Sequence, residues 1–190
     1  MSTDEQVLVA RARKGDRDAF AALLERYEKQ VYHQALRMVG NPEDAADMTQ
    51  ETFLKAWQGL PSFQGDSAFS TWLYRLTGNA CIDHLRKEKK RRGDASLDDE
   101  ERDFSPHLYD PSPTPQKALE EKELQKAVAE GLARLSDEHR QVLVLREVNG
   151  LSYDEIADVL GLTPGTVKSR IARARLSLAK FLRKSGNFFD

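Results

Sequence analysis

Three sets of side chains have the types and spacing to engage a partner chemically. Asp44, Asp47 and Glu51 stand at i, i+3 and i+7, so a helix would gather their carboxylates on one face. That face is either a solvated helix start favoured by the dipole or a dock for a basic partner. Clustered carboxylates also suggest a cation cage. Here no histidine joins the stripe, and neither a second carboxylate or His cluster nor a Gly-rich phosphate loop accompanies it. A metal-dependent nuclease is therefore not supported, and no metal, cofactor or catalytic residue is expected.

The second set is Arg75, Asn79, Ile82 and Arg86, again at helical spacing. Asparagine can pair with a base edge, and arginine with phosphate or guanine. Phe63, Phe69, Trp72 and Tyr74 lie close by, and rings beside cations suit bases unstacked from a duplex. Phe69 and Trp72 are expected in the core. Phe63, on a polar loop between Gly59 and Gly65, is the better candidate for touching a base. The third set lies on the last helix. Val167, Ile171, Ala174 and Leu178 share a buried side. The opposite side presents Gly165, Ser169 and Ala172, flanked by Lys168 and Arg173. Small residues edged by cations let a helix approach a major groove closely.

The elements that must hold these groups are helical throughout. Helices are expected at 4–14, 17–39, 43–57 and 68–92, with Ser67 as a cap for the last and Phe69, Trp72, Leu73, Leu76 and Ala80 as its core stripe. In the 43–57 helix, Ala46, Phe53, Leu54 and Trp57 are expected on one apolar side. Gly40-Asn41-Pro42 stops the second helix. A further helix to about 135 carries Leu119, Leu124, Val128, Leu132 and Leu135. Ser136 caps the next, Ser152 and Glu155 form a capping box for 153–160, and Thr163 caps a final helix that opens on Pro164. A short helix, a Gly161 turn and a capped second helix have the spacing of a helix-turn-helix.

Charge is distributed unevenly although the net is only −2. Residues 73–92 hold seven Lys/Arg against two acids, and residues 161–184 hold seven against none, whereas 94–123 hold ten acids against three cations. Each block acts locally within a Debye length of about 8–10 Å. The stretch 94–116 is acidic and Pro-rich without periodicity, and reads as a linker between units at 1–93 and 117–190. The single cysteine, Cys81, excludes an internal disulfide and a multi-cysteine zinc site. No signal peptide or run of about 20 apolar residues is present, so a cytoplasmic protein without direct membrane insertion is expected.

The segments Asp44 to Trp57, Phe63 to Arg75, and Leu151 to Ala157 followed by Gly165 to Arg170, in that order, resemble the extracytoplasmic-function sigma factors of the sigma-70 family, closest to the sigma-E-like group. The resemblance implies an all-α fold of two small helical domains, sigma2 and sigma4 in type. It implies a stress-responsive transcription factor, not an enzyme, that binds RNA polymerase core through its beta and beta-prime subunits and directs it to promoter DNA. Control by an anti-sigma factor is also implied. Carried over residue by residue, core binding falls to Asp44, Asp47, Gln50, Glu51, Phe53 and Lys55. Recognition and melting of the −10 element fall to Phe63, Arg75, Leu76, Asn79 and Arg86. The −35 element falls to Thr166, Lys168, Ser169, Ala172 and Arg173. An autonomous helix-turn-helix regulator is the alternative, and it leaves the 43–92 constellation unused.

Overall fold

The computed structural model describes residues 3–91 and 115–185. Residues 92–114, with most of the expected linker, lie outside the described residues, and Pro115 and Gln116, expected as its end, begin a helix instead. Among the described residues the secondary structure is eight α-helices and one 3-10 turn. They are α1 (Thr3–Ala12), α2 (Arg17–Val39), α3 (Pro42–Gly59), the turn Leu60–Ser62, α4 (Phe69–Arg91), α5 (Pro115–Ala133), α6 (Asp137–Glu147), α7 (Tyr153–Leu160) and α8 (Pro164–Ser185).

Local chemistry fixes most boundaries. The Asp16 carboxylate accepts from the Ala19 N–H at 3.0 Å to open α2, and Gly40, at φ +93°, closes it with its N–H on the Leu36 carbonyl. The Ala19 N–H and the neighbouring Arg11 hold the Asp16 carboxyl below its ordinary range. Asn41 caps α3 by accepting from the Asp44 N–H at 2.8 Å. The expected Ser136 cap and the Ser152–Glu155 box are both present. The expected Ser67 cap is not: its hydroxyl points to the Ala68 carbonyl at 3.5 Å.

α2 is the central strut of the first four helices. Leu23, Tyr27 and Val31 meet Phe53 and Ala56 of α3 and Phe69, Trp72 and Leu73 of α4. The buried face of α3 differs from the expected one. Ala46 and Leu54 are exposed and Trp57 is half-buried, while Ala45, Met48, Thr49, Thr52, Phe53 and Ala56 face inward. Two threonines read as polar in the sequence, but each hydroxyl donates to a carbonyl one turn back, Thr49 to Ala45 and Thr52 to Met48, both at 2.7 Å. The hydroxyls are thereby satisfied without water and the methyls pack.

α6 is the strut of the last four helices and has three working faces. Val142 and Leu145 meet α7 and α8 in a cluster with Ile156, Val167 and Ile171. Leu143 packs with Leu132, Leu135 and Ala174. The third face, Arg140, Gln141 and Val144, turns toward α2 and α4. Val144 is buried among Ala35, Leu36, Met38 and Val39, and Tyr74 of α4 is buried in the α6–α8 cluster. α5 and α8 approach closely at Gly131, where an added Cβ would stand 2.5 Å from Leu178 Cδ1 and 2.9 Å from Phe181 Cδ1. Gly131→Val is expected to force these side chains apart and lower unfolding free energy by about 1–3 kcal/mol, measured by urea denaturation. Unchanged stability would mean that α5 and α8 do not pack this tightly.

Candidate nucleic-acid and partner interfaces

The helix-turn-helix is built from α7 and α8. Gly161, at φ +64°, closes α7, and the Leu162 N–H returns to the Ala157 carbonyl at 2.9 Å, so the turn is short and held at both ends. In the capping box, the Ser152 N–H and hydroxyl hold the Glu155 carboxyl below its ordinary range. α8 starts on the Thr163 hydroxyl, which accepts from the Thr166 N–H at 3.3 Å. Val167, Ile171 and Ala174 are buried as expected, and Leu178 is half-buried. Lys168, Ser169, Ala172 and Arg173 are exposed along the other side, with Thr166 half-exposed at its start. Neighbouring arginines are engaged within the fold: Arg170 with Glu138 at 3.0 Å and Arg175 with Glu147, where its Nε donates at 3.1 Å. A Cβ added at Gly165 would meet nothing within 4 Å, so the helix start stands open.

On α4, Arg75, Asn79 and Arg86 are exposed in a row, and Leu76 is half-buried against the core. Arg86 stands 3.9 Å from Asp83, both well exposed, so its guanidinium is weakly held. Phe63 is placed otherwise than expected. It is only 6% exposed, with its ring 5.0 Å from Trp72 and 6.1 Å edge-on from Phe69. The reason is the 3-10 turn, in which the Phe63 N–H returns to Leu60 O at 3.1 Å and rotates the ring inward. The loop still leaves a hollow, bounded by Ser62 to Ser67, Thr71, Trp72 and Arg75, with Asp158 and Val159 of α7 as its far wall.

On α3, the acidic residues are not equivalent. Asp44 is tied down, with Asn41 at its carboxylate and His84 Nε2 at 3.3 Å. Glu51 pairs with Lys55 at 2.6 Å, and Asp47 and Gln50 are exposed. Phe53 is 7% exposed and belongs to the core, so it presents no surface. Leu54, 63% exposed, lies at the centre of the outward face between Asp47, Gln50, Glu51 and Gln58. Apolar periodicity alone puts Leu54 inside, because Thr49 and Thr52 count as polar; the capacity of a helical threonine to return its hydroxyl to the carbonyl one turn back is the signal that marks them as core.

Among the described residues no group of three His, Cys, Asp or Glu is arranged to hold a metal ion, and no helix is long and apolar enough to cross a membrane. Burial pushes the Cys81 thiol up to about 12.

Comparison with known proteins agrees with this geometry. Sigma-70 region 2 matches residues 23–91, which hold the α3 face and the α4 row, and sigma-70 region 4 matches residues 125–178, which hold the helix-turn-helix. The chain is 37% identical over 181 residues to the RNA polymerase sigma-H factor of Pseudomonas aeruginosa, covering 94% of each. It is 39% identical over 173 residues to the ECF RNA polymerase sigma-E factor of Escherichia coli, covering 90% of each. Among solved structures it resembles CnrH in complex with the cytosolic domain of CnrY, with a TM-score of 0.70 and 28% identity over 96% of this chain and 99% of that one. It also resembles RpoE in complex with the anti-sigma factor NepR from Bartonella quintana, with a TM-score of 0.68 and 25% identity over 86% of this chain and 96% of that one. With both region models matched in order and relatives aligned along almost the whole chain, the protein belongs to the ECF RNA polymerase sigma factors.

Proposed function

We propose that the three surfaces divide the work of promoter selection: the outer face of α3 docks on core RNA polymerase, the α4 row and its loop read and open the −10 element, and the start of α8 reads the −35 element. The observation that carries this reading is that Lys168 and Arg173 project from the exposed side of the first half of α8 with no ion pair among the described residues, while Arg170 and Arg175 beside them are bound to acids. Cations left unpaired within a fold are available to phosphates and base edges. The chain would perform no catalysis of its own and would act in the cytoplasm with the polymerase. The two solved relatives are complexes with CnrY and with an anti-sigma factor, which supports an anti-sigma partner here.

At the core dock, Asp47 and Glu51 supply charge, and Leu54 supplies the apolar centre that a polar rim would seal from water. Asp47→Lys with Glu51→Lys is expected to weaken binding to core by about 2 kcal/mol or more, because attraction to a basic partner becomes repulsion. Leu54→Ala costs about 1–2 kcal/mol by loss of a central contact. A titration of core that shows no change in either variant, with helicity intact, removes this face from the reading.

In the −10 region, Phe63→Ala is now expected to act first on the fold, costing about 3–5 kcal/mol of stability as a large ring is removed from the core. Asn79→Ala leaves stability within about 0.5 kcal/mol and slows strand opening. Permanganate footprinting checks the second statement, and normal opening by Asn79→Ala counts against the α4 row.

At α8, the fork of Arg173 suits bidentate pairing with guanine, and the flexible ammonium of Lys168, near the helix start, suits phosphate. Arg173→Ala should cost about 1–3 kcal/mol at the preferred −35 sequence and flatten discrimination there. Lys168→Ala should weaken all sequences alike and lower the salt slope by about one. Run-off transcription with holoenzyme on a promoter library reads both. If neither variant affects any promoter, α8 is not the reader, and if the chain selects promoters without core it is an autonomous regulator.

A further inference from the structure

One cluster of cations has no part in the division of work above. Arg11, Arg13, Lys14 and Arg17 stand close together at the α1–α2 turn, with Asp16 the one acid among them. Asp16 is already engaged, as the cap of α2 and as the partner of Arg11 at 2.8 Å. Arg13, Lys14 and Arg17 are exposed and have no ion pair among the described residues. The turn that carries them is held in place. The Lys14 N–H returns to the Arg11 carbonyl at 3.0 Å, the Gly15 N–H to the Ala12 carbonyl at 2.9 Å and the Asp16 N–H to the Arg11 carbonyl at 3.3 Å, with Gly15 at φ +90°. Ala12 and Ala19 on either side are 2% and 1% exposed and anchor the turn in the core. Like charges are thus gathered on a fixed arc, where they repel one another and contribute nothing to packing.

The position of this arc is set by the packing of α2 on α4. The first half of α2, with Ala19, Leu23 and Tyr27, lies in one cluster with Phe69 and Trp72 at the start of α4. The second half, with Ala35, Met38 and Val39, lies in another with Ala80, Cys81 and Leu85. The two helices therefore run in the same direction, and the α1–α2 turn stands at the loop end of α4, away from Arg86. Phe20 is one turn into α2 and neighbours Arg17 on the helix surface. Its ring meets that of Trp57 at 5.0 Å between centroids, and both rings are only half-buried, so their edges reach solvent. From Trp57 the chain passes through Leu60–Ser62 into the loop, about 10 Å further on. The loop hollow, the ring pair and the cations of the turn thus continue the line of the α4 row.

Cations beside rings that reach solvent suit a single strand, because charges meet phosphates and rings meet unstacked bases. Opening that begins in the −10 element must extend to the start site, where the template is copied, and on the other side the DNA stays duplex. Single strand therefore continues from the loop on the side away from Arg86, where the turn stands. We propose that Arg13, Lys14 and Arg17 hold phosphates of the non-template single strand just beyond the −10 element, with the Phe20–Trp57 pair as the floor between turn and loop. Contacts to phosphate carry no base preference, so this surface strengthens the hold on opened DNA without altering which promoter is chosen. It extends the −10 reading above and rests on it.

Two fork templates keep the two apart. Both carry a single-stranded non-template −10 element joined to upstream duplex; in one the strand stops there, and in the other it continues for about ten nucleotides. For wild-type holoenzyme the extension should raise affinity and steepen the dependence of log affinity on log salt by about two, the value for three phosphate contacts on a single strand. Arg13→Ala, Lys14→Ala and Arg17→Ala together should remove that added slope and cost about tenfold or more on the extended fork. Binding to the short fork, and to core without DNA, should change less than twofold. Arg13→Lys with Arg17→Lys should keep the gain, because charge suffices for phosphate. The proposal is overturned if the extension adds neither affinity nor slope for the wild type, if the triple variant keeps both, or if the lysine variant loses them. Weakened binding of the triple variant to core would assign the turn to an acidic polymerase surface and overturns it too. Should the triple variant lose helicity, Arg13→Ala and Arg17→Ala singly decide, each expected to lower the added slope by about 0.7. Failure of wild-type holoenzyme to bind the short fork would instead strike the −10 reading.

Discussion

The guanidinium of Arg140 joins the ends of two helices that belong to opposite halves of the chain, and much of the architecture depends on it. A buried cation ordinarily costs several kcal/mol unless it is compensated. Here the compensation comes from four carbonyls at the C-terminal ends of α2 and α5, where helix dipoles place partial negative charge, with Asp137 3.9 Å away. The planar fork matters as much as the charge. Lysine has no fixed directions in which to reach carbonyls of two helices at once. The end of α5, the turn into α6 and the end of α2 are thus positioned by one side chain.

Seen from that junction, the distribution of charge over the surface acquires a logic. Several cations are paired locally: Arg26 with Asp4 at 2.8 Å, Arg11 with Asp16 at 2.8 Å and Arg170 with Glu138 at 3.0 Å. Lys168, Arg173 and Arg75 have no ion pair among the described residues, nor do Lys180, Arg183 and Lys184 further along α8, and Arg86 is held only weakly. A nearly neutral chain can bind a polyanion when its acids are spent on structural cations and its remaining cations stand together. The acids of the α3 face form the converse patch, with Asp47 exposed beside Leu54.

The fold was legible where period and caps agreed. α2 and α7 have the boundaries that apolar spacing and stop signals predict, and the capping box at Ser152 and Glu155 is formed as the sequence implies. The open side of α8 was readable because Val167, Ile171 and Ala174 define the buried side without ambiguity. What escaped has specific causes. Thr49 and Thr52 are core residues whose polarity is cancelled by backbone carbonyls, and without them the inward face of α3 is assigned to the wrong residues. Phe63 sits in a polar loop, and only the 3-10 turn sends it inward. Arg140 reads as one more surface cation in a charged helix, since nothing local announces that α2 will present a carbonyl 102 positions away.

The separation of roles along α8 bears on how such a chain diverges. Val167, Ile171 and Ala174 carry the packing, while Thr166, Lys168, Ser169, Ala172 and Arg173 face solvent and Gly165 has empty space around it. Exposed helix positions away from caps and pairs typically change stability by no more than about 0.5 kcal/mol on substitution. After gene duplication, a copy can therefore sample new side chains at the exposed positions with little loss of folded protein. Two copies can come to address different sets of genes while keeping the same interior, and the barrier to a new regulatory circuit lies in the DNA sites that must change in step.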